Sequence, residues 1–399
     1  MGFRWGGEGC AEHGDAGPAR RWVTLILLPV SLLLVAVGDG AAQQDTVPKQ
    51  PERKVRISGY PYIFSTPEAG PAAGVGGIVT FYTSRTDSVL RPSKVSVGGW
   101  YSLNGQYKIS LTPVVYLNRN QWQLSMPADY GRFTDRFWGI GNQTEEFPDD
   151  TTAGAPDAQY EMSATNLKLD IQFPPFTPLG EGLLTRVGIV VEFNGTQILD
   201  VLDNPLIDST LLGYAGGQTL GAGISYVIDS RNHTFFPNSG GLYTVKVVGY
   251  PVMLMADYGY TRLEADLRKY FGRNTKESLA FQAYGSFMFG SPPFYALSAL
   301  GGSSRMRGYF LGRYRDRHYL MAQAEYRKMF WWRLGFAAFA GVGEVFGSEG
   351  SEFRLNELQW SVGGGLRVLF SRAELINLRV DFGVGKNTTG LYFQLEEAF

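Results

Sequence analysis

Arg307 stands in the run Gly301-Gly302-Ser303-Ser304-Arg305-Met306-Arg307-Gly308-Tyr309, between short segments whose alternate residues are apolar. A guanidinium at such a tip does electrostatic work. If it enters a barrel interior it must meet a carboxylate, because an unpaired buried guanidinium costs several kcal/mol or more. Glu325 and Asp381 lie at positions whose parity puts them on the polar face of their own segments, and are the natural partners. Residues for covalent chemistry are sparse by comparison. Of the three histidines, His13 falls in a segment expected to be removed, His233 in a turn and His318 at the head of a strand. No Gly-x-Ser-x-Gly elbow occurs, so a Ser–His pair assembled across strands is the enzymatic alternative and a non-enzyme is expected. Gly341-Val342-Gly343 lies inside a strand, where glycine permits bending or close packing, and no strand–turn–helix context supports a nucleotide. Glu145, Glu146, Asp149 and Asp150 crowd one loop; a solvated acidic loop is the reading, with weak calcium or bridging cations the alternative. No cofactor and no metal site are expected.

The elements that must position Arg307 alternate with period two. Leu167-Lys168-Leu169-Asp170-Ile171-Gln172-Phe173 carries Lys168, Asp170 and Gln172 on one face and only apolar residues on the other, and Ile376-Asn377-Leu378-Arg379-Val380-Asp381-Phe382 repeats the pattern. In Val95–Leu103, one face carries Val95, Val97, Tyr101 and Leu103. Charge in mid-strand on one face and apolar residues on the other fit lipid outside and water inside, the pattern of an all-β, transmembrane antiparallel β-barrel. Segments near 57–64, 72–85, 93–104, 106–117, 121–131, 159–173, 184–194, 219–229, 241–250, 258–270, 278–289, 318–329, 333–346, 358–370, 375–384 and 390–399 give about 16 strands, with twelve or fourteen the alternatives. An even number is expected when both barrel termini face the periplasm. Long connections near 132–158, 195–218, 290–317 and 347–357 should then face outward. Lys168, Asp170, Arg262, Glu264, Asp266, Arg268, Arg367 and Arg379 are expected to line the lumen.

Composition agrees. The chain has 399 residues with 51 glycines, 22 tyrosines and 26 phenylalanines, which favour short strands, tight turns and aromatic belts over a helical core. Its net charge of −1 gives no bulk attraction for nucleic acid, so no nucleic-acid partner is expected. Arg20 and Arg21 precede an apolar run from Trp22 to Val37, and Gly40-Ala41-Ala42 offers small residues before Gln43. Residues 1–42 therefore read as a signal peptide, 43–54 as a short periplasmic leader and 55–399 as the barrel. The only cysteine, Cys10, lies in the part expected to be removed, leaving a mature chain without thiol chemistry.

Asp229-Ser230-Arg231-Asn232 through Gly240, Gly301-Gly302-Ser303 with Arg307-Gly308-Tyr309, and Glu325-Tyr326-Arg327 with Gly363 to Arg367 together resemble the BamA/TamA-like bacterial surface antigen family of outer-membrane barrels. Asp229-Ser230-Arg231-Asn232 through Phe236-Pro237 to Gly240 is similar to the family's periplasmic turn between the eighth and ninth strands. Gly301-Gly302-Ser303 with Arg307-Gly308-Tyr309 is similar to its long extracellular loop, whose Arg-Gly-aromatic tip folds back into the lumen. Glu325-Tyr326-Arg327 and the stretch Gly363 to Arg367 follow in the family's order. The resemblance also implies an acid in a Phe-x-Asp-x-Gly pattern on the next strand. Here Phe339-Ala340-Gly341-Val342-Gly343 lacks it, which moves the expected pairing of Arg307 to Asp381 or Glu325. The closing stretch from Gly390, with Tyr392, Phe393 and the terminal Phe399, resembles the signal by which such barrels are recognised for insertion. Leu391, Phe393, Leu395 and Phe399 should share one face, which Glu397 interrupts. Between Gln43 and the first strand there is no room for the POTRA modules of many relatives, so the resemblance is to a barrel-only branch.

The resemblance implies residence in the outer membrane of a Gram-negative-type bacterium, among outer-membrane lipid and lipopolysaccharide, with the barrel assembly machinery as partner during biogenesis. It implies insertion, translocation or transport of a protein or lipid client, through a weakly paired seam between the first and last strands. A passive or substrate-specific pore is the alternative, and a surface adhesin or receptor a third.

Overall fold

Alternating segments that are apolar on one face and charged on the other bury both kinds of surface only by curling into a closed wall. The computed structural model of the protein describes residues 55–399 apart from 67–68, 85, 88, 143, 145–158, 177–182, 203–205, 254–255 and 373–374. The expected signal peptide and leader, and the acidic group Glu145, Glu146, Asp149 and Asp150, lie outside the described residues.

A 17-stranded antiparallel sheet makes the wall. It begins with β1 (Arg56–Thr66), β2 (Gly70–Phe81), β3 (Ser93–Ser102), β4 (Tyr107–Leu117), β5 (Trp122–Ser125), β6 (Ala128–Arg136) and β7 (Gln159–Phe173). It continues through β8 (Leu184–Leu202), β9 (Gly216–Asp229), β10 (Gly240–Tyr250), β11 (Tyr260–Phe271) and β12 (Glu277–Gly290). A separate two-stranded sheet, β13 (Ser298–Leu300) and β14 (Tyr314–Asp316), stands inside the connection 291–317. β15 (His318–Trp331), β16 (Leu334–Phe346), β17 (Gln359–Ser371), β18 (Ile376–Gly385) and β19 (Thr388–Leu395) complete the wall.

β5 and β6 both pair with β4 and with β7, so they share one place in the wall. Sequence periodicity reads a single strand over 121–131. Pro127, which has no N–H for the ladder, splits it, and the pairing then runs on to Arg136 opposite Gln159. β8 also outruns its expected end at 194. Asn194-Gly195-Thr196 resembles a turn, yet it stays laddered to Asn166, Thr165 and Ala164 of β7. The last strand stops at Leu395 rather than 399, because Glu396 takes a left-handed φ of 70° and turns the chain off the ladder.

The two faces carry inverted burial. Arg186, Arg307, Arg327 and Arg367 are among the largest fully buried side chains, whereas Ile57 is 79% and Leu103 83% exposed. Val97, Tyr101, Leu267, Phe281, Trp360 and Phe382 are also exposed, as a lipid-facing skin requires. The connections 137–158, 203–215, 291–317 and 347–358 lie at one end; the start of β1 and the finish of β19 lie at the other. β1 and β19 bring Cα atoms within 8 Å of each other, yet among the described residues no hydrogen-bonded ladder joins them. Side chains bridge this seam region instead. Lys94 on β3 pairs with Glu396 at 2.5 Å, and the Tyr60 ring meets Phe370 at 5.7 Å.

Candidate functional site

Connection 291–317 turns inward and brings Arg307 to the strand faces that carry charge. Nη1 of Arg307 donates to Oδ2 of Asp381 at 2.6 Å, and Nη2 donates to Glu325. Both acids proposed as partners are engaged at once. Glu325 also accepts from Nε of Arg327 at 2.6 Å and Nη2 of Arg367 at 3.3 Å. Asp381 also accepts from Nη1 of Arg367 at 2.5 Å and Nη1 of Arg379 at 2.6 Å. Glu397 accepts from Nε of Arg367 at 2.8 Å, so four guanidiniums share three carboxylates. Strand parity assembles this group. Glu325 and Arg327 are two residues apart on β15, Arg379 and Asp381 two apart on β18, and Arg367 of β17 faces Arg379 across the ladder. Taking these charges out of water is costly, and shared charge-assisted hydrogen bonds offset it.

Packing completes the seat. The Arg307 guanidinium carbon lies 3.5 Å from the Phe339 ring centroid, a desolvated cation–π contact. The position where the resemblance would place an acid is Gly341. A Cβ there would sit 3.2 Å from Sδ of Met306, so the residue beside Arg307 fills that space.

The backbone of the tip is held as firmly. Gly308 has φ of +115°, and a Cβ on it would come within 2.7–2.9 Å of backbone atoms of Val384 and Gly385. The fit is reciprocal: a Cβ on Gly383 would lie 2.6 Å from the Arg307 carbonyl. Gly308 N donates to the Tyr392 hydroxyl at 3.0 Å, and that hydroxyl donates to the Tyr309 carbonyl at 3.2 Å. Thr388 donates to the Gly308 carbonyl at 2.9 Å, Tyr309 donates to the Trp360 carbonyl at 2.9 Å, and Ser361 donates to the Arg307 carbonyl. The tip is therefore bonded to β15 and to the last three strands of the wall.

The turn 230–239 lies at the opposite end. Asp229 is buried and accepts from Arg231 Nε at 3.0 Å and Nη2 at 2.9 Å, and from Arg91 of the β2–β3 connection. Gly240, with φ of +83°, has no space for a Cβ, which would lie 1.9 Å from the Ser230 carbonyl. Ser278 donates to the Pro237 carbonyl at 2.7 Å, tying the turn to β12. Phe235 packs with Ile78, Ile376 and Leu395, reaching across to β2, β18 and β19. Nδ1 of His233 accepts from the amides of Phe235 and Phe236 at 3.2 Å. Burial, with Arg91 and Arg231 nearby, holds that imidazole below its ordinary pKa.

The terminal residues depart from the expected single face. Tyr392, on the opposite parity, points inward to the loop tip as alternation requires, but beyond Leu395 the chain turns inward rather than continuing the outer face. Phe399 is buried beside Tyr270 and Ala280; Arg327 lies 5.1 Å from its ring and donates to its carbonyl at 2.8 Å. Glu397, expected to interrupt that face, is instead enclosed with Arg367 and Asn377. Sequence reasoning also missed Phe339 and Ser361 as parts of the seat, and Arg91 as a partner of Asp229. Phe339 was noted only for the acid its pattern lacks, and no local signal marks Ser361 or Arg91, since each is brought in by a distant segment. Among the described residues no group of three or more His, Cys, Asp or Glu is arranged to hold a metal ion.

Residues 91–399 match the family model for the Omp85 superfamily domain. The fold is similar to that of BamA from Haemophilus ducreyi lacking POTRA domains 1-3, at 14% identity and a TM-score of 0.52, over 86% of this chain and 69% of that one. It is similar as well to CdiB from Acinetobacter baumannii, at 11% identity and a TM-score of 0.50, over 86% of this chain and 65% of that one. No curated protein matches the sequence. With an inverted wall, an inward Arg-Gly-Tyr tip and a domain match over most of its length, the chain belongs to the Omp85 superfamily, and its place is the outer membrane.

Proposed function

We propose that this protein is a plugged, non-enzymatic barrel of sixteen strand positions, exported by the signal peptide 1–42, that works at its seam to insert, translocate or transport a protein or lipid client. One observation carries this reading: β1 and β19 approach without a ladder, while the loop tip is bonded through Tyr392 and Thr388 to the last strand itself. An unpaired edge presents N–H and C=O groups to an incoming strand. Pro61 in β1 removes one more donor from that edge region. Its surroundings are outer-membrane lipid and lipopolysaccharide, and its partner during biogenesis is the barrel assembly machinery.

The test is single-channel conductance in planar bilayers, with and without a disulfide between cysteines placed on β1 and β19. Small flickering openings that the disulfide suppresses are expected. Large steady openings indifferent to the disulfide would make the protein a pore and overturn the reading. Ligand binding lost on deletion of the long connections, with silent bilayers, would make it a receptor.

A further inference from the structure

A second polar site, separate from the Arg307 seat, lies in the lumen behind connection 291–317. It is a cavity of about 190 Å³, lined by Arg262, Glu264, Tyr284, Ser298, Arg305 and Tyr319 among others. Its hydrogen-bonding groups are unbalanced. The Tyr319 side chain is 2% exposed, and its hydroxyl has no partner. Nε of Arg262 likewise makes no hydrogen bond, though it lies 3.7 Å from Oε2 of Glu264. Arg305 stacks 3.7 Å from the Tyr284 ring centroid and, among the described residues, has no carboxylate within ion-pair distance.

The acceptors nearby are already engaged. Oε1 of Glu264 accepts from the Tyr284 hydroxyl at 2.8 Å and Oε2 from Lys246, while the Ser286 hydroxyl accepts from Ser298 at 2.9 Å. Lys168, Lys246 and Arg262 converge on Glu192 and Glu264, and the acid that acts on Arg305 is Asp266, which already holds Arg268, so five cations meet three carboxylates. Buried donors without acceptors call for a group that only accepts. The volume is far above that of a single water and suits an ion with several oxygens.

We propose that this cavity binds a small free oxyanion, of the phosphate class, held by Arg305, Arg262 and the Tyr319 hydroxyl. Such an ion would fix connection 291–317 against β11, β12 and β15 from behind its tip. This assignment is independent of the seam reading. It is tested by isothermal titration calorimetry of the full barrel, refolded into detergent in phosphate-free buffer, with inorganic phosphate and separately with short-chain phosphatidic acid. Saturable binding of inorganic phosphate is expected, weakened about tenfold by Arg305→Gln and to a similar extent by Tyr319→Phe, since a hydrogen bond to a charged group is lost in each. Heat-modifiable gel mobility verifies folding of both variants, and Tyr319→Phe, which removes one buried oxygen, decides if Arg305→Gln does not fold. Absence of saturable phosphate binding, binding confined to the lipid, or affinity unchanged in Tyr319→Phe would each overturn the assignment.

Discussion

Replacing Glu325 by Gln isolates the electrostatics of the loop seat. The substitution keeps the side-chain shape and removes one charge from a cluster in which four guanidiniums share three carboxylates. Only Arg307 of those guanidiniums belongs to the connection; Arg327, Arg367 and Arg379 belong to the wall and stay whichever way the tip moves. The change therefore acts on docking twice. It deletes the Arg307–Glu325 ion pair and leaves Arg307 facing three wall arginines with two acids between them. Removing one partner of a buried pair costs about 3–5 kcal/mol. At about 1.4 kcal/mol per factor of ten, the undocked fraction should rise roughly a hundred- to several-thousand-fold. Met306 is fully buried in the docked state, so a Met306→Cys reporter in a chain without other cysteines reads that fraction as its maleimide labelling rate. The matched control is Glu344→Gln, at a buried acid beside connection 347–358 that accepts from the Arg354 amide. A labelling rate unchanged by Glu325→Gln, or raised equally by Glu344→Gln, would refute the idea that this cluster holds the tip.

Three further outcomes are expected. Gly308→Ala should undock the tip, through a strained positive φ of about 1–3 kcal/mol and a direct clash with Val384 and Gly385, seen as faster labelling of the same reporter. Leu267→Arg, on the outer face of β11, should destabilise the barrel by roughly 2–4 kcal/mol in urea titrations in bilayers if that face meets acyl chains near mid-depth, and far less if it does not. The stabilisation of the turn by neutral His233 should be present above the unfolded imidazole value of about 6.5 and be lost as pH falls through the lower folded value, because the unfolded chain binds the proton more readily. Proteolysis at the turn across that window measures it, and His233→Gln should flatten the profile.

The strand faces were legible in sequence because a strand's inside and outside are set by a local period of two. Leu167–Phe173 and Ile376–Phe382 declare their polar and apolar faces within seven residues, and Lys168, Asp170, Arg367 and Arg379 fall inside as expected. Glu325 and Asp381 could be named as lumen acids for the same reason. The interruption at Pro127 has a local cause that periodicity alone passes over, whereas the length of β8 and the inward turn after Leu395 were not legible, since each depends on what distant segments offer for pairing.

What the amino-acid order alone determined is the alternation, the punctuation by turns and the presence of an arginine that needs acids. Only the tertiary structure decided that Arg307 takes both Glu325 and Asp381, that the Tyr392 hydroxyl meets the Gly308 amide, and that Phe399 ends beneath Arg327. It also decided that, among the described residues, β1 meets β19 without a ladder. Periodicity reports which way a side chain points; which distant side chain it meets follows from register and closure, and these are summed over the whole wall.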